Sequence, residues 1–113
     1  MWEADWHDRH VAVKKLRANV MAFDELAMQD FEKEVALLQT VRHRNIVYFY
    51  GAGVMGDVPF LVLEYCKRGS LAGLLADKKL ALSPRRRLDF ALDTASGMRF
   101  LHSLNPPRIH RDL

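Results

Sequence analysis

A lysine at the end of a valine-rich segment and a glutamate inside an apolar helical pattern are the first residues whose types could do chemistry together. In "HVAVKKL" Lys14 shares a strand face with the small Ala12, while Val11 and Val13 take the opposite face. Its ammonium can therefore point into the space that Ala12 leaves open. Glu34 falls beside Phe31, Val35 and Leu38, and a carboxylate on such a face needs a cation, because an unpaired buried charge costs several kcal/mol. Each residue also has a plainer reading, as a solvated lysine at a strand end and a rim glutamate that reaches water. At the end of the chain "IHRDL" gathers His110, Arg111 and Asp112; taken alone, three charged or titratable residues after an isoleucine read as a surface loop.

Residues 51 to 56, "GAGVMG", have the GxGxxG spacing with which backbone amides wrap phosphates. That spacing carries the chemistry only where it follows a strand and opens a helix, whose N-terminus then meets the pyrophosphate. Here "NIVYFY" precedes it and "VPFLVLEY" follows it, and both are rich in β-formers. The six residues plus Asp57 therefore read as a hairpin connection in which glycine supplies positive φ, remote from any bound nucleotide.

The elements that must position Lys14 and Glu34 follow from the same patterning. "HVAVKKL" predicts a strand from near His10 to near Leu16, and the 3.6-residue period of Phe31, Val35 and Leu38 predicts a helix from Asp24 to about Arg42. After "LVLEY" the polar, glycine-containing "CKRGS" reads as a hinge between two lobes. "SLAGLLADKK" predicts a short helix with Ser70 as N-cap. "LSPRRRLDFALDTASGMRFLHSL" predicts a long one with Ser83 as N-cap and Pro84 at the first helical position, ended by "NPP". The long helix is apolar on several sides, with Leu88, Ala91, Leu92, Ala95, Met98 and Leu101 on one and Phe90, Gly97, Phe100 and Leu104 largely on others. Such a helix must be buried on several sides, so the sequence is expected to stop before the structure that would cover it.

With 113 residues, half of them hydrophobic, the chain has the size of one domain or a piece of one and is not a disordered protein. Seventeen basic against fourteen acidic residues give a net charge of +3, and much of the excess sits in Arg85, Arg86 and Arg87. That is too small and too local to argue for nucleic acid; the run reads first as a solvated helix face and second as a patch for phosphate or an acidic partner. A lone Cys66 excludes an internal disulfide and suits a reducing compartment. No apolar run approaches the roughly 18 residues of a membrane span, and "MWEADWHDRH" has no signal-peptide hydrophobic region. The expectation is a soluble, cytoplasmic protein.

In order, a strand "VAVK", a helix with an inward glutamate, two strands, a polar crossing, an apolar helix and "HRDL" resemble the protein kinase catalytic domain over nearly all of residues 9 to 113. "FEKEVALLQTVRHRNIVYFYGAG", "LVLEYCKRGSLAGLL" and "ALDTASGMRFLHSLNPPRIHRDL" look like the tyrosine-kinase-like branch, which includes Raf-like and mixed-lineage serine/threonine kinases. Arg44 departs from the proline usual in the turn after the helix, which puts in doubt only the shape of that turn. The fold class implied is α+β, a partial bilobal kinase fold. Residues 1–63 would form an N-lobe part without the glycine-rich loop, 64–69 the hinge, and 70–113 the start of the C-lobe, ending at HRDL.

The resemblance also implies roles. Lys14 would hold the α and β phosphates of ATP and Glu34 would orient it. Ala12 would pack on the adenine, Leu63 falls at the gatekeeper position, and Glu64 and Cys66 fall on the hinge, where backbone groups would bond the adenine edge. Leu38, Phe49 and His110 would contribute layers of a hydrophobic spine. Asp112 would guide the proton of the substrate hydroxyl, and Arg111 would support its loop. The cofactors implied are ATP and Mg2+, and the partners are a protein substrate and a regulatory protein. No glycine precedes "VAVK", and the metal-binding asparagine and DFG aspartate do not follow within these residues. Transfer of phosphate rests on positioning and on charge neutralisation by metal, so the 113-residue chain by itself is expected to be inactive. The alternative is a non-catalytic, kinase-like interaction module that uses the helix carrying Glu34.

Overall fold

"WEADW" alternates apolar with acidic residues, a two-residue period that suits a strand, and it forms β1 (Trp2–Trp6). The sequence reading assigned no element there. β1 pairs antiparallel with β2 (Arg9–Lys15) in a register that sets Glu3 opposite Ala12 and Asp5 opposite His10. His7 and Asp8 join them at φ 47° and 60°. Two consecutive left-handed residues match the twist of the flanking strands, and Asp and His tolerate that region better than other side chains. The hairpin needs no glycine, which is why the sequence did not announce it. In this computed structural model residues 1–16, 25–110 and 113 are described.

β3 (Phe49–Met55) and β4 (Val58–Glu64) form the second antiparallel hairpin. The expected connection over residues 51 to 57 is corrected here: Gly51 and Gly53 lie within β3, and only Gly56 and Asp57 turn the chain. Gly56 alone of this group has positive φ, at 61°. Gly53 serves a different purpose, since a Cβ there would lie 2.7 Å from Cζ of Phe60, its cross-strand partner. Phe60 needs the space above a glycine, and the strand accepts glycine for that reason. A register irregularity between Phe49 and Gly51 marks the entry to β3.

The four strands make one antiparallel sheet in the order β1-β2-β4-β3. Although β1 and β3 are its two edges, Trp6 and Tyr50 come within 6.1 Å of each other, ring centre to ring centre, and the Arg9 guanidinium lies over the Tyr50 ring. The sheet therefore curls, bringing its edges together. Among the described residues, the buried hydrophobic ones are Val11, Ala12, Phe49 and Val62, with Val11 fully enclosed.

α1 (Glu25–Leu38) packs against β3, with Phe31, Val35 and Leu38 half-buried. It stops four residues short of the expected Arg42. Thr40 and Val41 donate their amides to the carbonyls of Leu37 and Leu38, and the Thr40 hydroxyl donates to Leu37 as well. Three-residue spacing of this kind tightens and closes a last turn. The expected start at Asp24 lies outside the described residues.

Two compact units result, Met1–Arg42 with Val47–Tyr65 and His43–Ile46 with Cys66–Leu113. In the second, the Ser70 side chain accepts the Gly73 amide to open α2 (Leu71–Ala76), and Ser83 accepts the Arg86 amide to open α3 (Pro84–Ser103) with Pro84 in its first turn. Both caps stand where the sequence put them. The turn 43–46 closes through the Ile46 amide on the His43 carbonyl. It lies against α3 at Gly97, where a Cβ would stand 3.2 Å from the Asn45 carbonyl oxygen. His43 packs on Phe100, ring centres 5.0 Å apart, and Arg44 reaches Asp93 at 3.9 Å.

Candidate nucleotide site

Directly opposed residues of an antiparallel pair share a sheet face, so the register builds the site from the backbone. Ala12 stands opposite Leu63, Leu63 opposite Phe49, and Lys14 opposite Leu61. Ala12, Lys14, Leu61, Leu63 and Phe49 thus occupy one face of β2, β4 and β3. On it Ala12 and Phe49 are buried, Leu61 and Leu63 half-buried, and Lys14 exposed. An apolar strip with a cation beside it can accept a flat ring on the strip and an anion at the cation.

Glu64 lies at the end of β4 and is fixed from both ends by Tyr48. Its amide donates to the Tyr48 carbonyl at 2.8 Å, and its carboxylate accepts the Tyr48 amide at 3.0 Å. Cys66 is a free, exposed thiol whose carbonyl accepts the Gly69 amide at 2.9 Å, closing a turn in which Gly69 has φ 75°.

Glu34 is exposed on α1. The expected ion pair with Lys14 is not among those formed between described residues, which are His10 with Glu3 and Asp5, Arg44 with Asp93, and Arg85 with Asp89. α1 leans on β3, and in the sheet order β4 separates β3 from β2, the strand that carries Lys14. His110 is exposed in the second unit. Arg111 and Asp112 lie outside the described residues.

A group that sequence reasoning missed shares the face with Ala12 and Lys14. Glu3 and Asp5 of β1 bracket His10 of β2, at 3.2 Å and 3.0 Å, and the Tyr65 hydroxyl donates to the second oxygen of Glu3 at 2.5 Å. The signal was the acid alternation in "WEADW" followed by a histidine five residues after Asp5. It becomes visible only once the glycine-free hairpin is recognised.

Among the described residues, no cluster of His, Cys, Asp and Glu could hold a metal ion, and no helix is long and apolar enough to cross a membrane.

The four-stranded antiparallel sheet and the few helices are consistent with the partial N-lobe of a kinase fold. The family model of protein tyrosine and serine/threonine kinases matches residues 1–113, and the chain belongs to that family. It is 42% identical over its whole length to a probable serine/threonine-protein kinase, SIS8, of Arabidopsis thaliana, and 44% identical over 97% of its length to the serine/threonine-protein kinase CTR1 of the same plant. It is also 42% identical over its whole length to the probable serine/threonine-protein kinase drkD of Dictyostelium discoideum. The chain covers 11%, 13% and 9% of these three relatives, about a tenth of each.

Proposed function

We propose that the protein carrying this domain transfers the γ-phosphoryl group of ATP to serine or threonine of a protein substrate, and that the sheet face with Ala12, Lys14 and Leu63 receives the nucleotide. The single observation that supports the placement is the strand register, which sets Ala12 directly beside Leu63 and Lys14 two residues along the same face. Ala12 and Leu63 offer the adenine an apolar surface. Lys14 offers the phosphates a cation, and the backbone at Glu64 and Cys66 offers the adenine edge its hydrogen bonds. Glu34 orients Lys14 when the two meet, and Asp112 guides the substrate hydroxyl. Protein kinases in general use ATP with Mg2+, and the metal, when bound, neutralises the phosphate charge.

No described residue is assigned to the metal. A cytoplasmic location suits the exposed, unpaired Cys66.

The experiment exchanges this chain for the matching residues of CTR1 and assays transfer of labelled phosphate to a general protein substrate. An active chimera that yields phosphoserine or phosphothreonine, and loses activity in Lys14→Met, supports the reading. An inactive chimera that folds and binds no ATP favours a kinase-like interaction module instead.

A further inference from the structure

The four groups around His10 form a device that the nucleotide reading does not use. A carboxylate has only acceptors, so an imidazole that bonds a carboxylate through each ring nitrogen must donate from both, and only the imidazolium can. His10 does this: Nδ1 faces Asp5 at 3.0 Å and Nε2 faces Glu3 at 3.2 Å. Glu3 then spends its other oxygen on the Tyr65 hydroxyl, and the His10 and Tyr65 rings meet edge to face at 4.4 Å. Tyr65 is the last residue of the sheet unit, one position beyond β4. We propose that Glu3, Asp5, His10 and Tyr65 form a protonation-dependent clasp that fastens the exit of β4 to the β1–β2 hairpin. Its geometry stands whether or not the same face binds nucleotide.

The other charged groups of these elements are engaged elsewhere or stand apart. Arg9 lies over Tyr50, Lys15 over Trp2, and the Glu64 carboxylate takes the Tyr48 amide. His7 and Asp8 form the turn, with the His7 ring on Trp6. Lys14 shares the clasp's face, two residues beyond Ala12, which is Glu3's own cross-strand partner.

The directions agree with the geometry. Hydrogen bonding to Asp5, and then to Glu3, raises His10 above its ordinary 6.5. The Tyr65 hydroxyl, and then His10, hold Glu3 below its ordinary 4.5. Bonding to Glu3 raises Tyr65 above its ordinary 10.0. A raised histidine contributes fully below 6.5 and loses its contribution as pH rises through its elevated value. A depressed carboxyl contributes above 4.5 and loses its contribution as pH falls through its lowered value. The clasp is therefore complete between 4.5 and 6.5 and opens on the alkaline side, where His10 keeps one of its two carboxylate bonds. Its side chains remain accessible, 46% for His10, 60% for Glu3 and 86% for Asp5, so salt weakens it.

The test measures the exchange of each imidazole C2 hydrogen against pH by mass spectrometry, together with backbone amide exchange across residues 60–65 corrected for the intrinsic pH dependence. The His10 midpoint should lie above 6.5, fall in Asp5→Asn and fall further when Glu3→Gln is added. Protection of residues 60–65 should drop as His10 deprotonates, and in Tyr65→Phe, which keeps the ring and removes one oxygen, it should be lower and independent of His10. A His10 midpoint at or below 6.5 would overturn the clasp. So would a midpoint unmoved by Asp5→Asn, whose exposed site leaves folding intact, or equal protection with and without the Tyr65 hydroxyl.

Discussion

The sheet unit encloses apolar side chains where the helical unit encloses almost none, although both leave others in water, Trp2 and Met55 in the first and Leu88 and Leu92 in the second. Among the described residues, the buried hydrophobic ones, Val11, Ala12, Phe49 and Val62, belong to the sheet unit. There the ladder satisfies the backbone, and the curl that brings Trp6 to Tyr50 draws the sheet's two edges together. In α2 no residue is buried, and in α3 only Gly97 is. Leu88 is 53% and Leu92 58% exposed, and a groove of about 510 Å³ runs between apolar residues that include Leu71, Leu75, Ala91 and Met98. A strand network can build a core from its own pairing, whereas a helix buries a stripe only against another element. Stability should therefore reside in the sheet unit, and association in the helical one.

Truncating Phe49 to alanine should separate the two most strongly. It removes a ring that is 8% exposed and should cost about 3 to 4 kcal/mol in denaturant unfolding, against less than about 0.5 kcal/mol for Leu92→Ala. Equal costs would show that the helical unit carries as much core as the sheet.

Glycine substitutions sharpen the contrast at a smaller scale. Gly53→Ala drives a Cβ into the Phe60 ring and should cost about 1 to 3 kcal/mol. Gly56→Ala meets open space and should cost about 1 kcal/mol through its left-handed backbone alone. Gly97→Ala, pressed on the Asn45 carbonyl, should cost about 1 to 2 kcal/mol and act on the helical unit. Thermal melts of the three should rank Gly53 as most damaging; a larger loss at Gly56 would mean that the turn, and not the packing, limits the β3–β4 hairpin.

The exposed helical leucines give the association prediction. Sedimentation of the isolated chain should show self-association, reduced in Leu88→Lys with Leu92→Lys and unaffected by Trp2→Lys on the sheet. The smallest effect belongs to the β1–β2 turn, where Asp8→Gly should stabilise by about 0.5 kcal/mol because glycine adopts φ 60° without strain.

Much of this architecture was legible because local chemistry and global fold agree. The alternation in "HVAVKK", the caps at Ser70 and Ser83 and the proline after Ser83 all point to the elements that form. β1 was missed because its turn uses His7 and Asp8 where hairpins usually advertise glycine. The extent of β3 was misjudged for the converse reason: glycine normally weakens a strand, and the requirement of Phe60 for an empty position at Gly53 is a cross-strand fact that no window of sequence contains. Lys14 and Glu34 could be singled out by pattern, but their distance depends on which strand α1 leans against. The kinase motifs themselves were legible as an ordered series, and the family match extends over the same residues.

The central claim is that the Ala12–Lys14–Leu63 face, and not the glycine-containing hairpin, meets the nucleotide. An adenosine triphosphate whose terminal phosphate carries an acyl group transfers that group to an amine lying beside the phosphates. Mass spectrometry of the labelled protein should find Lys14 acylated well above Lys15, Lys78 and Lys79, with the label suppressed by excess ATP. Labelling spread evenly over these lysines and unchanged by ATP would contradict the account.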